Sequence, residues 1–163
     1  MAQNRVIKFS LNGEPVAADV QSHHNVIEVL QTQFGLTGAR ESCGQGLCGC
    51  CTVILDDQAV SGCLYLAPFL DGADVVTVEG LERDGTLSFV QDAFIEAGAF
   101  QCGYCTSGFI LMATKLLEEC PEPDDETIKH YLSGNLCRCG AYPEILNAVK
   151  LASQRMLAHT QHR

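Results

Sequence analysis

The chain has 163 residues, is 47% hydrophobic and 18% charged, and carries a formal net charge of −10. That length holds one domain or two small ones, and the composition argues for a packed globular protein over a disordered one. The acidic balance argues against nucleic acid, which is met by basic patches, and no polybasic segment suits an anionic membrane surface.

Ten cysteines are many for this length. In a secreted chain they would suggest disulfides. The first residues, Met1 to Phe9, show neither an apolar signal core nor twin arginines, and no apolar run approaches membrane-span length. The expectation is a cytoplasmic protein with reduced thiols, in which clustered cysteines more often bind metal.

Taken in order, Arg5 to Leu11 alternates as a strand, with Val6, Phe9 and Leu11 among its apolar residues. Asn12-Gly13 is a hairpin turn, and Pro15 to Val20 is the return strand. Asn25 and Glu28 form a capping-box pattern ahead of a short helix with Val26, Ile27, Val29 and Leu30 on its face, ended by Gly35. A cysteine-rich loop follows. Thr52 to Leu55 and Gln58 to Gly62 make a second hairpin around Asp56-Asp57, and Val75, Val76 and Val78 suggest a last strand. Two hairpins, a helix and a cysteine loop describe a β-grasp, ferredoxin-like module.

The composition changes at Glu79 to Gly85, so the predicted domains are 1–79 and 80–163, and the second reads as all helix. Ser88 to Glu96 is a helix carrying Phe89, Val90, Ala93 and Phe94, with Gly98 as terminator. Thr106 or Ser107 caps the next, whose face is Phe109, Ile110, Met112, Ala113, Leu116 and Leu117, and Pro121 and Pro123 stop it. Asp124 or Asp125 caps a third with Ile128, Tyr131 and Leu132 inward, closed by Gly134. Pro143 opens a fourth through Ile145, Val149, Ala152 and Met156. The tail from His159 to Arg163 reads as frayed. The fold class is therefore α+β: a plant-type ferredoxin-like domain followed by a four-helix bundle.

The chemistry lies in the cysteines. Cys43, Cys48 and Cys51 give C-x4-C-x2-C with Cys63 further on, which is the plant-type [2Fe–2S] spacing. Gly44, Gly46 and Gly49 let the loop turn tightly and bring its amides close to sulfur. The same glycines match G-x-G-x-x-G by letter, but a cysteine interrupts the match and a strand follows it, so a dinucleotide site is rejected. Zinc motifs usually bring their ligands as C-x2-4-C pairs, which fits this first set poorly. Cys102 and Cys105 precede one helix, and Cys137 and Cys139 precede another. Two helix N-termini would favour an anionic four-thiolate group, and on spacing alone this second set suits iron–sulfur or zinc equally. Cys50 and Cys120 remain as free thiols, with Cys50 pointing opposite to Cys51 if the chain is already extended there. Tyr104 reads as packing and Arg138 as solvated. The five histidines, His23, His24, His130, His159 and His162, read as surface residues without Rieske spacing.

The first loop with Cys63, then Gln101-Cys-Gly-Tyr-Cys105, then Asn135-Leu-Cys-Arg-Cys-Gly140, resemble the small iron–sulfur subunit of the molybdenum hydroxylases, the xanthine dehydrogenase and aldehyde oxidoreductase family. The resemblance spans about Val6 to Leu157. It implies two [2Fe–2S] clusters, an outer one on Cys43, Cys48, Cys51 and Cys63 and an inner one on Cys102, Cys105, Cys137 and Cys139. It also implies that Gln101 and Cys139 touch molybdopterin on a large partner subunit, and that a further subunit carries FAD or haem. The assembly so implied is a heterotrimer or a dimer of heterotrimers, with no substrate site on this chain. Two positions depart from the family pattern: Ser42, commonly Gly, and Cys50, commonly Ala. The rival readings are a free two-cluster ferredoxin and a zinc-stapled interaction module.

Overall fold

The computed structural model describes residues 4–161; the predicted frayed tail therefore lies partly outside it, with His162 and Arg163. Ten regular elements follow one another: β1 (Arg5–Leu11), β2 (Glu14–Val20), α1 (Val26–Phe34), β3 (Thr52–Leu55), β4 (Gln58–Ser61), β5 (Asp74–Val76), α2 (Phe89–Glu96), α3 (Thr106–Glu119), α4 (Asp125–Tyr131) and α5 (Tyr142–Gln161). The class is α+β.

The strands form one mixed sheet in the order β2-β1-β5-β3-β4. β1 and β2 are joined at Asn12-Gly13, both with positive φ, the geometry of a primed hairpin turn. β5 slots between the two hairpins, parallel to β1 and antiparallel to β3. Ile7, Phe9 and Leu11 of β1 are buried, whereas Val6 faces solvent at 62% exposure; the alternation runs on the odd residues. Asn25 caps α1 with the full capping box to Glu28, and Gly35 ends it in the left-handed conformation. Val26, Ile27, Val29 and Leu30 of that helix join the sheet residues in one apolar cluster.

Val78 does not extend the last strand. It opens a short 3-10 turn, Val78–Leu81, that leads away from the sheet. A second such turn, Ala67–Leu70, was not foreseen; it buries Ala67 and Leu70 under the sheet.

The helical half has its own core. Val90, Ala93 and Phe94 of α2, Phe109, Ala113, Leu116 and Leu117 of α3, Ile128 of α4, and Ile145, Val149 and Ala152 of α5 share one cluster. α2 packs on α5 and α3, and α4 on both α3 and α5. Ser88 caps α2 with a capping box to Gln91, and Asp124 caps α4 by accepting from the Thr127 amide.

Neither Thr106 nor Ser107 caps α3. The helix starts one residue sooner than expected, with Cys105 at the cap, so both hydroxyls fall inside its first turn and are buried without a partner. Phe89 is exposed and lies against His159 rather than in the core. α5 continues as helix through His159 and Thr160 to Gln161. Lys115 ties the halves together: from α3 it reaches Asp57, in the β3–β4 turn, at 2.6 Å, and Glu118 at 2.6 Å. No helix among the described residues is long and apolar enough to cross a membrane.

Candidate functional site

The first cysteine loop crosses from α1 to β3 with Gly44, Gly46 and Gly49 all at positive φ. Its end is not yet extended: Cys50 and Cys51 are the central residues of a turn closed by the Thr52 N–H donating to the Gly49 carbonyl at 3.3 Å, and strand begins only at Thr52. Cys51 drops into the sheet core, and Cys50 turns the other way into the helical core. The Cys51 thiol lies against Cys63, which follows β4, and the Cys43 thiol lies against Cys48.

The second set is assembled by the helices. Cys105 is the cap of α3, and Cys139 stands just ahead of α5. Cys102 lies against Cys139, and Cys105 against Cys137. None of the ten cysteines forms a disulfide.

The donors around these sulfurs are backbone amides. The Gln45 N–H points at the Cys43 sulfur from 3.4 Å and, with the Leu47 amide, holds that thiol down at about 7. Cys102 is lowered by the Tyr104 amide and then by the neighbouring Cys139. At Cys137 burial opposes ionisation, but the amides of Ala141, 3.4 Å away, and of Cys139 and Gly140 prevail, and the thiol sits below its ordinary value. Burial pushes Cys51 up to about 11 and Cys105 up to about 12. Cys50, buried between Cys48 and Cys105, is pushed up to about 12, chiefly by desolvation.

The donor set can be tested against the groups proposed for it. Each set offers four thiols approaching in pairs, with amides aimed at sulfur, as an anionic cluster with sulfur acceptors requires. Paired thiols suit a two-iron core, where each iron takes two, better than four closing on one zinc. The residues fit [2Fe–2S].

A joint binds the two sets. The Leu136 N–H donates to the Cys48 carbonyl at 3.0 Å. The Gly49 carbonyl accepts from Thr52 Oγ1 at 2.8 Å and from Asn135 Nδ2 at 3.3 Å. Gly108 of α3 lies so close beneath that a β-carbon there would collide with the Gly49 oxygen, and one on Gly49 would collide with the Asn135 amide. Cys43, Cys48, Cys50, Cys102, Cys105 and Cys137 all line one cleft of about 640 Å3.

Gln101 is exposed beside Cys102, and Cys139 is exposed at the other side of its pair. Arg138 is exposed, as expected. Tyr104 packs against Arg40, whose guanidinium lies 5.6 Å from its ring centroid, and its hydroxyl also donates to the Glu41 carbonyl at 2.6 Å. Sequence reasoning missed Arg40, Asn135, Gly108 and Tyr142. The Tyr142 hydroxyl accepts from the Cys137 N–H at 3.0 Å. Their only sequence signal is proximity to a cysteine motif, which does not separate them from other loop residues. Cys120 caps the end of α3, partly buried and remote from both sets. Of the histidines, His23, His130 and His159 are exposed, and His24 Nδ1 accepts from the Gln21 N–H.

Known proteins give the same picture. Residues 9–80 match the 2Fe-2S iron-sulfur cluster binding domain, and residues 77–150 match the [2Fe-2S] binding domain. The small FeS subunit of nicotinate dehydrogenase from Eubacterium barkeri is 44% identical over 149 residues, covering 91% of this chain and 95% of that one. The iron-sulfur-binding subunit of xanthine dehydrogenase from Escherichia coli is 40% identical over 146 residues, covering 88% of this chain and 91% of that one. Among solved structures, quinoline 2-oxidoreductase from Pseudomonas putida 86 matches with a TM-score of 0.91 at 34% identity, over 96% of this chain and 98% of that one. With two [2Fe–2S]-binding modules and relatives aligned over almost its full length, this chain belongs to the small iron–sulfur subunits of the molybdenum hydroxylases, the xanthine dehydrogenase and aldehyde oxidoreductase family.

Proposed function

We propose that the chain passes electrons singly from a molybdopterin centre on a large subunit to an inner cluster on Cys102, Cys105, Cys137 and Cys139, then to an outer cluster on Cys43, Cys48, Cys51 and Cys63, and on to a flavin or haem subunit. The observation that carries this reading is the joint: cysteines of both sets line one cleft, and a hydrogen bond from Leu136 to Cys48 links their backbones. When bound, each cluster supplies storage for one electron.

The chain's own residues place and insulate those stores. Backbone amides favour the ionised form at Cys43, Cys102 and Cys137, so less of the cost of the anionic group falls on distant side chains. Helix α3 begins at Cys105 and α5 just after Cys139, so the positive ends of two helices face the second set. Burial of Cys48, Cys51, Cys105 and Cys137 keeps water from the sulfurs between the sets. Gln101 and Cys139, both exposed, are the contacts offered to the pterin-bearing subunit. The proposed division into 1–79 and 80–163 is supported by two apolar clusters, although Cys48, Cys50 and Val78 of the first segment pack in the helical one.

The test is iron and acid-labile sulfide analysis of the native protein, with identification of what co-purifies. The expected result is about four irons and four sulfides per chain, together with a molybdenum-containing large chain. A colourless zinc protein, or a chain isolated alone that reduces its partners by diffusion, overturns the reading.

A further inference from the structure

We propose that Arg40 is a positioning residue for the second thiol set, bracing the Cys102–Cys105 loop from the first cysteine loop and, through its charge, raising the reduction potential of the inner cluster. The inference rests on the two-cluster reading above.

Arg40 stands three residues ahead of Cys43, yet its side chain leaves that loop. Nη1 donates to the Gly103 carbonyl at 2.8 Å, in the turn between Cys102 and Cys105, and Nε donates to Thr37 O at 3.2 Å. Its own amide is fixed by donating to Cys50 O at 3.0 Å. The guanidinium lies 5.6 Å from the Tyr104 ring centroid, and the Tyr104 hydroxyl returns a bond to Glu41 O at 2.6 Å. The two loops are thus laced in both directions.

Every partner of that guanidinium is a neutral carbonyl or an aromatic ring. Among the described residues no carboxylate lies within ion-pair distance of it, whereas Arg5, Lys115, Lys129, Lys150 and Arg155 are all paired. An uncompensated positive charge in a half-buried position is therefore held at the turn between Cys102 and Cys105. Reduction of the cluster adds one electron and one negative charge with no bond broken. A fixed cation nearby stabilises that form and raises the potential, and the effect falls with distance. The charge sits at the inner thiols although the residue belongs to the outer loop, so the inner potential should move more than the outer.

The experiment is a redox titration of the intact complex, following each cluster's reduced-state EPR signal, in wild type, Arg40→Gln, Arg40→Lys and Tyr104→Phe. In Arg40→Gln the inner cluster's reduction equilibrium should fall about tenfold, or about 59 mV for one electron, with a smaller change at the outer cluster. Arg40→Lys, which keeps the charge, should recover most of that shift. Tyr104→Phe loosens the same joint without changing charge and should move neither potential. Equal shifts at both clusters, no shift, or an equal shift in Tyr104→Phe each overturn the proposal. If Arg40→Gln fails to load the inner cluster, Arg40→Lys decides: a retained signal near the wild-type potential supports the proposal, and loss of the cluster there too overturns it. A wild-type complex lacking two EPR-active clusters would instead overturn the underlying function.

Discussion

The first thiol set comes from one glycine-rich loop and the hairpin after it, whereas the second needs two loops brought together by α3, α4 and α5. In the first, Cys48 and Cys51 are 6% and 1% exposed, and the loop's own amides point at sulfur. In the second, Cys102 and Cys139 are exposed and only Cys105 and Cys137 are buried. A locally built site can be preorganised by its glycines alone; one built from distant segments inherits its geometry from helix packing. The open side of the second set is where a partner subunit can close over it, and the Gly49–Asn135–Gly108 joint holds the two constructions in register.

Removing a proposed ligand should break this comparison most sharply. Cys51→Ser is expected to abolish or strongly alter the first cluster's EPR and visible spectra while leaving the second, with iron content falling toward about half. Retention of both spectra would show that Cys51 is not a ligand.

The joint is the next target. Gly108→Ala places a β-carbon against the Gly49 carbonyl, in a contact with no flexible side chain to yield. Overpacking of this kind costs about 1–3 kcal/mol. Because Gly49 and Asn135 lie in different loops, both cluster spectra should change together, alongside a lower Tm in thermal unfolding.

Lys115 probes the halves through a different contact. Hydrogen bonds to Asp57 and then Glu118 raise its pKa above the ordinary lysine value. The stabilisation is therefore complete below the unfolded pKa, about 10.4, and is lost as pH rises through the folded value. Its carboxylate partners are largely exposed, so Lys115→Met should cost no more than about 1 kcal/mol at neutral pH, read by urea unfolding. That loss should shrink above pH 10, where wild type loses the same contribution; a mutant deficit independent of pH would assign the effect to packing.

Cys50→Ser should do least. Its thiol faces the helical core with only a 4.0 Å approach to the Cys48 carbonyl, away from the Cys51–Cys63 pair. Both cluster spectra are expected to persist, with a small stability loss from a buried hydroxyl. Loss of the first spectrum in Cys50→Ser but not in Cys51→Ser would exchange the two assignments.

Much of this was legible in sequence because it is local. The Asn12-Gly13 turn, the Asn25–Glu28 cap and the Gly35 and Gly98 terminators act within a few residues, and the structure contains each of them. The cysteine spacings carry chemistry by themselves, since thiolate separation along the chain limits which metal core the loop can wrap. Cys50 and Cys51 do face opposite cores, but from a turn over Gly49–Thr52 rather than from the extended backbone expected there.

Only the tertiary structure decided what crosses between segments. β5 ends at Val76 because the chain must turn from the sheet toward α2 through Val78–Leu81, a requirement invisible in a run of valines. α3 starts at Thr106 because its cap position is taken by Cys105, held against Cys137 of a distant loop, so two capping residues were left inside the helix. Arg40, Asn135 and Gly108 matter through partners far along the chain, and no periodicity or motif records such a contact. The sequence by itself marked two groupings of cysteines by their spacing; packing of the helical half against the first loop brought cysteines of both to one cleft, because that contact joins segments far apart along the chain.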